Sequence, residues 1–217
     1  MKACIFDLDG TLTDTLESLT YSVVETLKEM GMPPITSDEC RRFVGNGARV
    51  LIEKSLKAAG GETAAGRLDE GMEIYGRIFD ANCTYHVTPY EGIREMLSEL
   101  KSQGIRLGVL SNKPHRQTVK VVREIFGEGV FDCVQGQQEQ IARKPDPEGV
   151  YRLMEALNTT KEECLYVGDS EVDIRTGKNA GVRTVGVAWG FRDREALSAA
   201  GAETIIDEPG ELTGIWI

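Results

Sequence analysis

The 217-residue sequence is short of positive charge: 25 lysines and arginines stand against 35 aspartates and glutamates, a formal net charge of −10. Nucleic acids and anionic membranes would be repelled by such a chain, which argues against both as partners. An anionic small substrate would have to be met by local positive charge, such as a metal ion. Paired cysteines are missing too. Cys4, Cys40, Cys83, Cys133 and Cys164 are odd in number and form no C-x-x-C pair, which reads as buried free thiols in a reducing compartment. No apolar run approaches the roughly 20 residues of a membrane-spanning helix. The sequence opens on a few apolar residues followed by acid, with no signal-peptide core, so the expected location is the cytoplasm. What is present, 41% hydrophobic and 28% charged residues, is enough apolar material for an ordinary folded protein.

A second absence is local. From about Asp14 to Tyr85 no strand pattern is evident. Apolar residues at Leu16, Leu19, Val23, Val24, Leu27 and Met30 predict an amphipathic helix closed by Gly31 and Pro33-Pro34. Thr36-Ser37-Asp38-Glu39 fits a capping box opening a short helix. Ala48 to Ala59 keeps helical spacing up to Gly60-Gly61. Glu62 to Asn82 is also read as helix, although Gly66, Gly71 and Gly76 each cost about 1 kcal/mol there relative to alanine.

Elsewhere strand and helix alternate. Ala3-Cys4-Ile5-Phe6 is a short continuous apolar run, as expected of a strand buried on both faces. After Pro89, "IRLGVLS", "FDCVQG", "ECLYVGD", "VRTVGVAW" and "ETIID" read as strands separated by amphipathic helices. The predicted fold class is therefore α/β: a Rossmann-like parallel sheet covered by helices on both faces. Residues 1–13 and 87–217 form its core, and residues 14–86 form an inserted helical domain.

Ligands of open parallel sheets bind beyond the carboxyl ends of the strands. The first strand delivers Asp7 and Asp9 there, "GVLSNK" delivers Ser111 and Asn112, and "LYVGDSEVD" delivers Asp169 and Asp173. A loop before a helix adds Lys144. Carboxylates converging from separate strands need a positive partner, and this oxygen-rich set suits Mg²⁺, which takes one or two carboxylates and keeps water and substrate phosphate.

Taken in order, "DLDGTLTDT", "LSNK", "RKPDPE" and "VGDSEVD" resemble the four motifs of the haloacid dehalogenase superfamily of phosphotransferases. Serine stands at 111 where threonine is more usual; both offer a hydroxyl. The insert resembles that superfamily's helical cap. With "RRFVGNGARVL", "SNKP" and "GKNAGVRTVGVAWGF", the chain is most similar to the phosphoglycolate phosphatase branch. The resemblance implies that Asp7 is a nucleophile forming an aspartyl-phosphate. Asp7 and Asp169 would bind Mg²⁺ by their carboxylates, and Asp9 by its backbone carbonyl. The Asp9 side chain is then left to act as general acid and base, on the expectation that extended backbone turns Asp7 and Asp9 to one side. Ser111 and Lys144 would stabilise the phosphoryl oxygens, with Gly10, Thr11 and Asn112 beside the substrate. Asp173 would orient Lys144 or a metal-bound water. In the insert, the backbone of Gly45, Asn46 and Gly47 with the Arg49 guanidinium would meet a carboxylate on the substrate's leaving group.

Plainer readings exist for several of these residues. Asp173 is also an acid in the first turn of a helix, where the dipole favours it. Gly45-Asn46-Gly47 is also a turn before the next helix, His115 reads as an exposed residue near a helix start, and Trp189 and Trp216 read as packing residues. The expected activity is hydrolysis of a small phosphorylated metabolite, best 2-phosphoglycolate. A sugar-phosphate mutase or a pyrophosphatase of the same superfamily is the alternative. Asp9 argues against dehalogenation, whose enzymes lack that aspartate, and Lys54 and Lys57 keep phosphonate hydrolysis open. Outside the enzymes, a phosphoacceptor signalling domain or an idle scaffold shares the clustered acids. Receivers, however, run to about half this length and do not carry their acceptor on the first strand.

Overall fold

Ala3–Phe6 forms the first strand, β1, and all four residues are fully buried, as a continuous apolar run requires of a strand covered on both faces. In this computed structural model, which describes residues 2–215, the chain then passes through β2 (Thr13–Asp14), α1 (Leu16–Glu29), α2 (Ser37–Phe43), α3 (Ala48–Ala65) and α4 (Leu68–Asn82). It continues through β3 (Thr88–Pro89), α5 (Ile93–Ser102), β4 (Arg106–Pro114), α6 (His115–Phe126), β5 (Cys133–Gln137) and α7 (Glu148–Ala156). The last elements are β6 (Cys164–Gly168), α8 (Glu171–Ala180), β7 (Arg183–Val187), α9 (Arg194–Ala199), β8 (Thr204–Ile206) and α10 (Glu211–Gly214). Trp216 lies outside the described residues. Among those residues no helix is long and apolar enough to cross a membrane.

The chain divides into two units: residues up to Asp14 together with those from Thr88 onward, and Thr15–Val87. The first holds a six-stranded sheet in the order β5-β4-β1-β6-β7-β8, every pairing parallel. β1 is thus flanked by β4 and β6, and the strand order reverses around it. Such a reversal opens a crevice beyond the strand ends. One face of the sheet packs Ile5, Leu110 and Tyr166 against Val150, Leu153, Met154 and Leu157 of α7 and its end. The short antiparallel pair β2–β3 joins the points where the chain leaves this unit and returns to it. Two-residue strands carry no periodicity, and the sequence reading placed none there.

The second unit is helical. Thr36 caps α2 as expected, its hydroxyl accepting from Glu39 N while the Glu39 carboxylate accepts from Thr36 N. α3 is broken at Gly60 and Gly61, where φ reaches +67° at Gly61, so the regular segment stops where the double glycine predicts. The following region is helical as expected, with an interruption at Gly66–Arg67 before α4 begins. Gly71 lies inside α4 for a packing reason. An added Cβ would sit 3.1 Å from Ile52 and 3.2 Å from Leu56, so glycine is what lets α4 approach α3.

Candidate active site

Register puts the site together. Phe6 is level with Val109 of β4 and Val167 of β6, so the residues that follow each strand emerge side by side. Asp7 N still donates to Val167 O at 2.9 Å, which fixes the backbone one residue beyond the strand. The Asp7 carboxylate, only 9% exposed, accepts Leu8 N at 2.7 Å and the Lys144 ammonium at 2.9 Å. Lys144 Nζ also donates to Asp173 Oδ1 at 2.8 Å. Asp173 is fully buried near the start of α8 and accepts from Tyr166 Oη at 3.0 Å and from Ser170 N at 3.1 Å. Ser170 Oγ donates to it as well, completing a capping box at the head of α8. Asp169 accepts Thr11 Oγ1 at 3.0 Å and Phe191 N at 2.8 Å, one on each oxygen.

Asp9 faces a different cation. Its Oδ1 accepts from Lys113 Nζ at 2.5 Å. The strand geometry expected to align Asp7 with Asp9 does not extend that far. β1 ends at Phe6, and Leu8 O collects the amides of Thr11, Leu12 and Thr13 in a tight turn. Each of the two carboxylates is held by its own lysine instead of by the pleat.

Glycines clear the space around the acids. Gly10 has φ +86°, and a Cβ on it would run into the Asp169 carboxylate. A Cβ at Gly190 would strike Gly10 O and Asp169, and one at Gly168 would strike Asp173. Gly10→Ala is therefore expected to combine left-handed strain of about 1–2 kcal/mol with a clash against a buried side chain. Its denaturation midpoint should fall clearly below wild type and its activity should drop with it. An alanine variant of unchanged midpoint would show that the turn has slack which this packing denies.

Four carboxylates, those of Asp7, Asp9, Asp169 and Asp173, stand against two buried ammonium groups, Lys113 and Lys144. The imbalance shows in their proton affinities. Burial first, and then the Asp173 charge, push the Asp7 carboxyl well above the usual carboxylate range, with Lys144 pulling the other way. Asp169 is pushed up to about 7 by burial and by Asp173, against the lowering hydrogen bonds from Phe191 N and Thr11. Burial disfavours the Lys144 ammonium, but Asp173 and Asp7 more than offset it and hold its pKa well above the ordinary lysine value. The cluster is short of positive charge by two units, which one divalent cation would supply. Carboxylate oxygens of Asp7, Asp169 and Asp173 lie within 4.8 Å of one another, and an all-oxygen donor set fits a hard cation such as Mg²⁺.

Of the residues singled out in the sequence, Asp7, Asp9, Gly10, Thr11, Ser111, Asn112, Lys144, Asp169 and Asp173 all lie in the sheet unit. Ser111 is buried, and its Oγ accepts Lys113 N at 3.2 Å. Asn112 is buried beside it. Its carboxamide bonds both ends of the Lys144 backbone, Nδ2 to O at 3.1 Å and N to Oδ1 at 3.0 Å. Gly45, Asn46, Gly47 and Arg49 belong to the helical unit, where Gly47 precedes α3 and Arg49 pairs with Asp69 at 2.9 Å. His115 is half-buried, not exposed, and accepts Gly136 N on Nδ1 at 3.2 Å. Trp189 donates from Nε1 to Thr11 O at 3.0 Å, bracing the turn after Asp9.

Lys113, Tyr166 and Phe191 were not anticipated. Lys113 could have been, since it follows Ser111 and Asn112 at the same strand end. Tyr166 reads as an ordinary core aromatic until its hydroxyl is seen on Asp173, and Phe191 contributes only a backbone amide.

A parallel sheet whose strand ends gather acids around a buried lysine sets charged, chemically active groups where such sheets bind their ligands. Residues 4–187 match the sequence model of the haloacid dehalogenase-like hydrolase family, and the chain belongs to that family. It is 34% identical over 191 residues to a phosphoglycolate phosphatase of Aquifex aeolicus, covering 88% of this chain and 86% of that protein. It is 33% identical over 210 residues to a phosphoglycolate phosphatase of Pseudomonas putida, covering 95% and 76%. A crystal structure assigned to a phosphoglycolate phosphatase of Lactobacillus delbrueckii subsp. bulgaricus superposes with a TM-score of 0.92 at 29% identity, covering 99% of this chain and 97% of that one.

Proposed function

We propose that this protein is a Mg²⁺-dependent phosphomonoester hydrolase working through an aspartyl-phosphate on Asp7, with 2-phosphoglycolate as its substrate. The observation that carries the reading is the buried Asp7–Lys144–Asp173 array, in which a carboxylate at a strand end is held by an ammonium that is itself anchored from behind. The relatives named phosphoglycolate phosphatase, which align over most of the chain, support the choice of substrate.

In the first step an Asp7 oxygen attacks phosphorus and the bond to the leaving oxygen breaks, while the Asp9 carboxyl gives that oxygen a proton. In the second step Asp9 takes a proton from water, whose oxygen attacks phosphorus and frees Asp7 and phosphate. Lys144 and the Ser111 hydroxyl bind the phosphoryl oxygens as charge develops on them. Asp7 and Asp169 would hold Mg²⁺ by their carboxylates, and Asp9 by its backbone carbonyl. Both Asp173 oxygens already accept two donors each, so this residue serves better as the anchor of Lys144 than as a direct ligand. Bound Mg²⁺ supplies charge neutralisation between an anionic nucleophile and an anionic phosphoryl group.

The test is phosphate release from a panel holding 2-phosphoglycolate, hexose phosphates, pyrophosphate and p-nitrophenyl phosphate, with Mg²⁺ and with EDTA. Highest kcat/KM on 2-phosphoglycolate, abolished by EDTA, is expected. Isomerised sugar phosphate without net phosphate release would make the protein a mutase, and no turnover of any phosphate would end the reading. Asp9→Asn should slow turnover of 2-phosphoglycolate by roughly 10²–10⁴, the range of a lost general acid–base group. If its kcat stays at the wild-type value, Asp9 contributes no proton transfer.

A further inference from the structure

We propose that Lys113 is a positioning residue for Asp9, fixing the carboxylate that exchanges protons with the leaving group and with water. The inference rests on the phosphatase reading above. Lys113 is buried, its side chain 1% exposed against 13% for that of Asp9. A substrate therefore meets Asp9 before the ammonium behind it, and Lys113 acts on the reaction through Asp9.

The lysine is well placed to hold something else still. It lies in the irregular part of β4 between Leu110 and Pro114, where the register with β5 shifts. Its N donates to Ser111 Oγ at 3.2 Å, and its O accepts Thr118 Oγ1 at 3.1 Å from the first turns of α6. Gly136 of β5 packs so closely that an added Cβ would collide with Lys113 O, the His115 Cα and Thr118 Oγ1. Backbone fixed on three sides and a side chain closed off from water leave the ammonium little freedom.

Asp9 needs such a partner. It sits two residues from Asp7 in a turn, not in a strand, and its negative charge adds to the repulsion already felt by Asp7. A short side chain on a turn would relieve that repulsion by rotating outward. Lys113 removes the choice: with Oδ1 tied to Nζ, the second oxygen remains to face the leaving group. Ser111 and Lys113 on one strand end thus order two different parts of the reaction, the phosphoryl oxygens and the proton carrier.

The test is a double-mutant cycle of wild type, Lys113→Met, Asp9→Asn and the double variant, assayed with Mg²⁺ on 2-phosphoglycolate and on p-nitrophenyl phosphate. Lys113→Met should lower kcat on 2-phosphoglycolate by about 10–100-fold, with KM within a few-fold of wild type. The loss in kcat/KM, which reports the phosphorylation step, should be smaller on p-nitrophenyl phosphate, whose leaving group needs little help from an acid. In the Asp9→Asn background the same change should alter kcat by less than about twofold, because coupled residues are non-additive. Losses in kcat that multiply, or losses in kcat/KM that are equal on both substrates, would overturn the proposal, and so would a Lys113→Met enzyme as fast as wild type. Should Lys113→Met alone fail to fold, the double variant against Asp9→Asn still gives the decisive comparison, since neither carries an unpaired Asp9 charge. A wild-type enzyme that releases no phosphate from either substrate would instead defeat the phosphatase reading, and this inference with it.

Discussion

Asp7→Asn is expected to lower turnover by about 10⁵-fold or more, the scale on which covalent enzymes lose activity with their nucleophile. An amide oxygen is too weak a nucleophile to displace the leaving group, and no other side chain in the cluster is free of a second task. The fold should survive. Asparagine keeps an oxygen able to accept Leu8 N, the bond that fixes the side chain. In EDTA the variant should be more stable than wild type. The sign follows from proton binding: burial and Asp173 raise the Asp7 pKa in the folded protein, so the native state binds more protons than the unfolded chain above the unfolded carboxylate pKa. Stability from this group therefore falls as pH rises through that window and stays low above the folded pKa. Asparagine removes the penalty, so the gain in Tm should be larger near about pH 8 than near about pH 5. A variant less stable than wild type at both pH values would mean that the Asp7 charge is compensated without any added cation.

Lys144→Met should have the opposite effect on the fold. The ammonium is the shared partner of Asp7 and the fully buried Asp173. Its removal leaves both with an uncompensated charge. Breaking a buried pair in this way typically costs about 3–5 kcal/mol, which chemical denaturation in EDTA would read directly. Activity should also fall by at least about 10²–10³, the cost of losing one electrostatic stabiliser of the transition state. The two losses can be separated. Adding Asp173→Asn to Lys144→Met should recover part of the stability, because one orphaned charge is gone, and none of the activity. Recovery of activity along with stability would reduce Lys144 to a structural counter-ion.

Much of this was legible from local pattern. β1 announced itself as a continuous apolar run, Thr36 and Glu39 as a capping box, and Gly60-Gly61 as a break, because each is decided within a few residues. Asp7 and Asp169 could be picked out because polar residues immediately after buried strands have few reasons to be there, Ser111 because it closes an apolar run, and Lys144 through the "RKPDPE" motif in the loop before α7. Ser170-Glu171-Val172-Asp173 obeys the same capping rule as Thr36. The sequence therefore held a firmer account of the Asp173 backbone than its reading as a first-turn acid. Tertiary information was not available in this way. The order of the strands, the irregularity of β4 and the closeness of Gly136 to Lys113 depend on pairings between distant segments. That is why neither the Lys113–Asp9 pair nor the bonds from the Asn112 carboxamide to the Lys144 backbone can be read from the sequence. α10 and the β2–β3 pair are too short to leave any periodic trace.

The central claim is that phosphate passes through Asp7. Quenching the enzyme during turnover of 2-phosphoglycolate and reducing it with borohydride converts an aspartyl-phosphate to homoserine, which peptide mass spectrometry can place in the chain. Homoserine at position 7, dependent on substrate and absent from Asp7→Asn, is the predicted result. Full catalytic turnover with Asp7 unmodified under every quench, or the adduct on another aspartate, would contradict it.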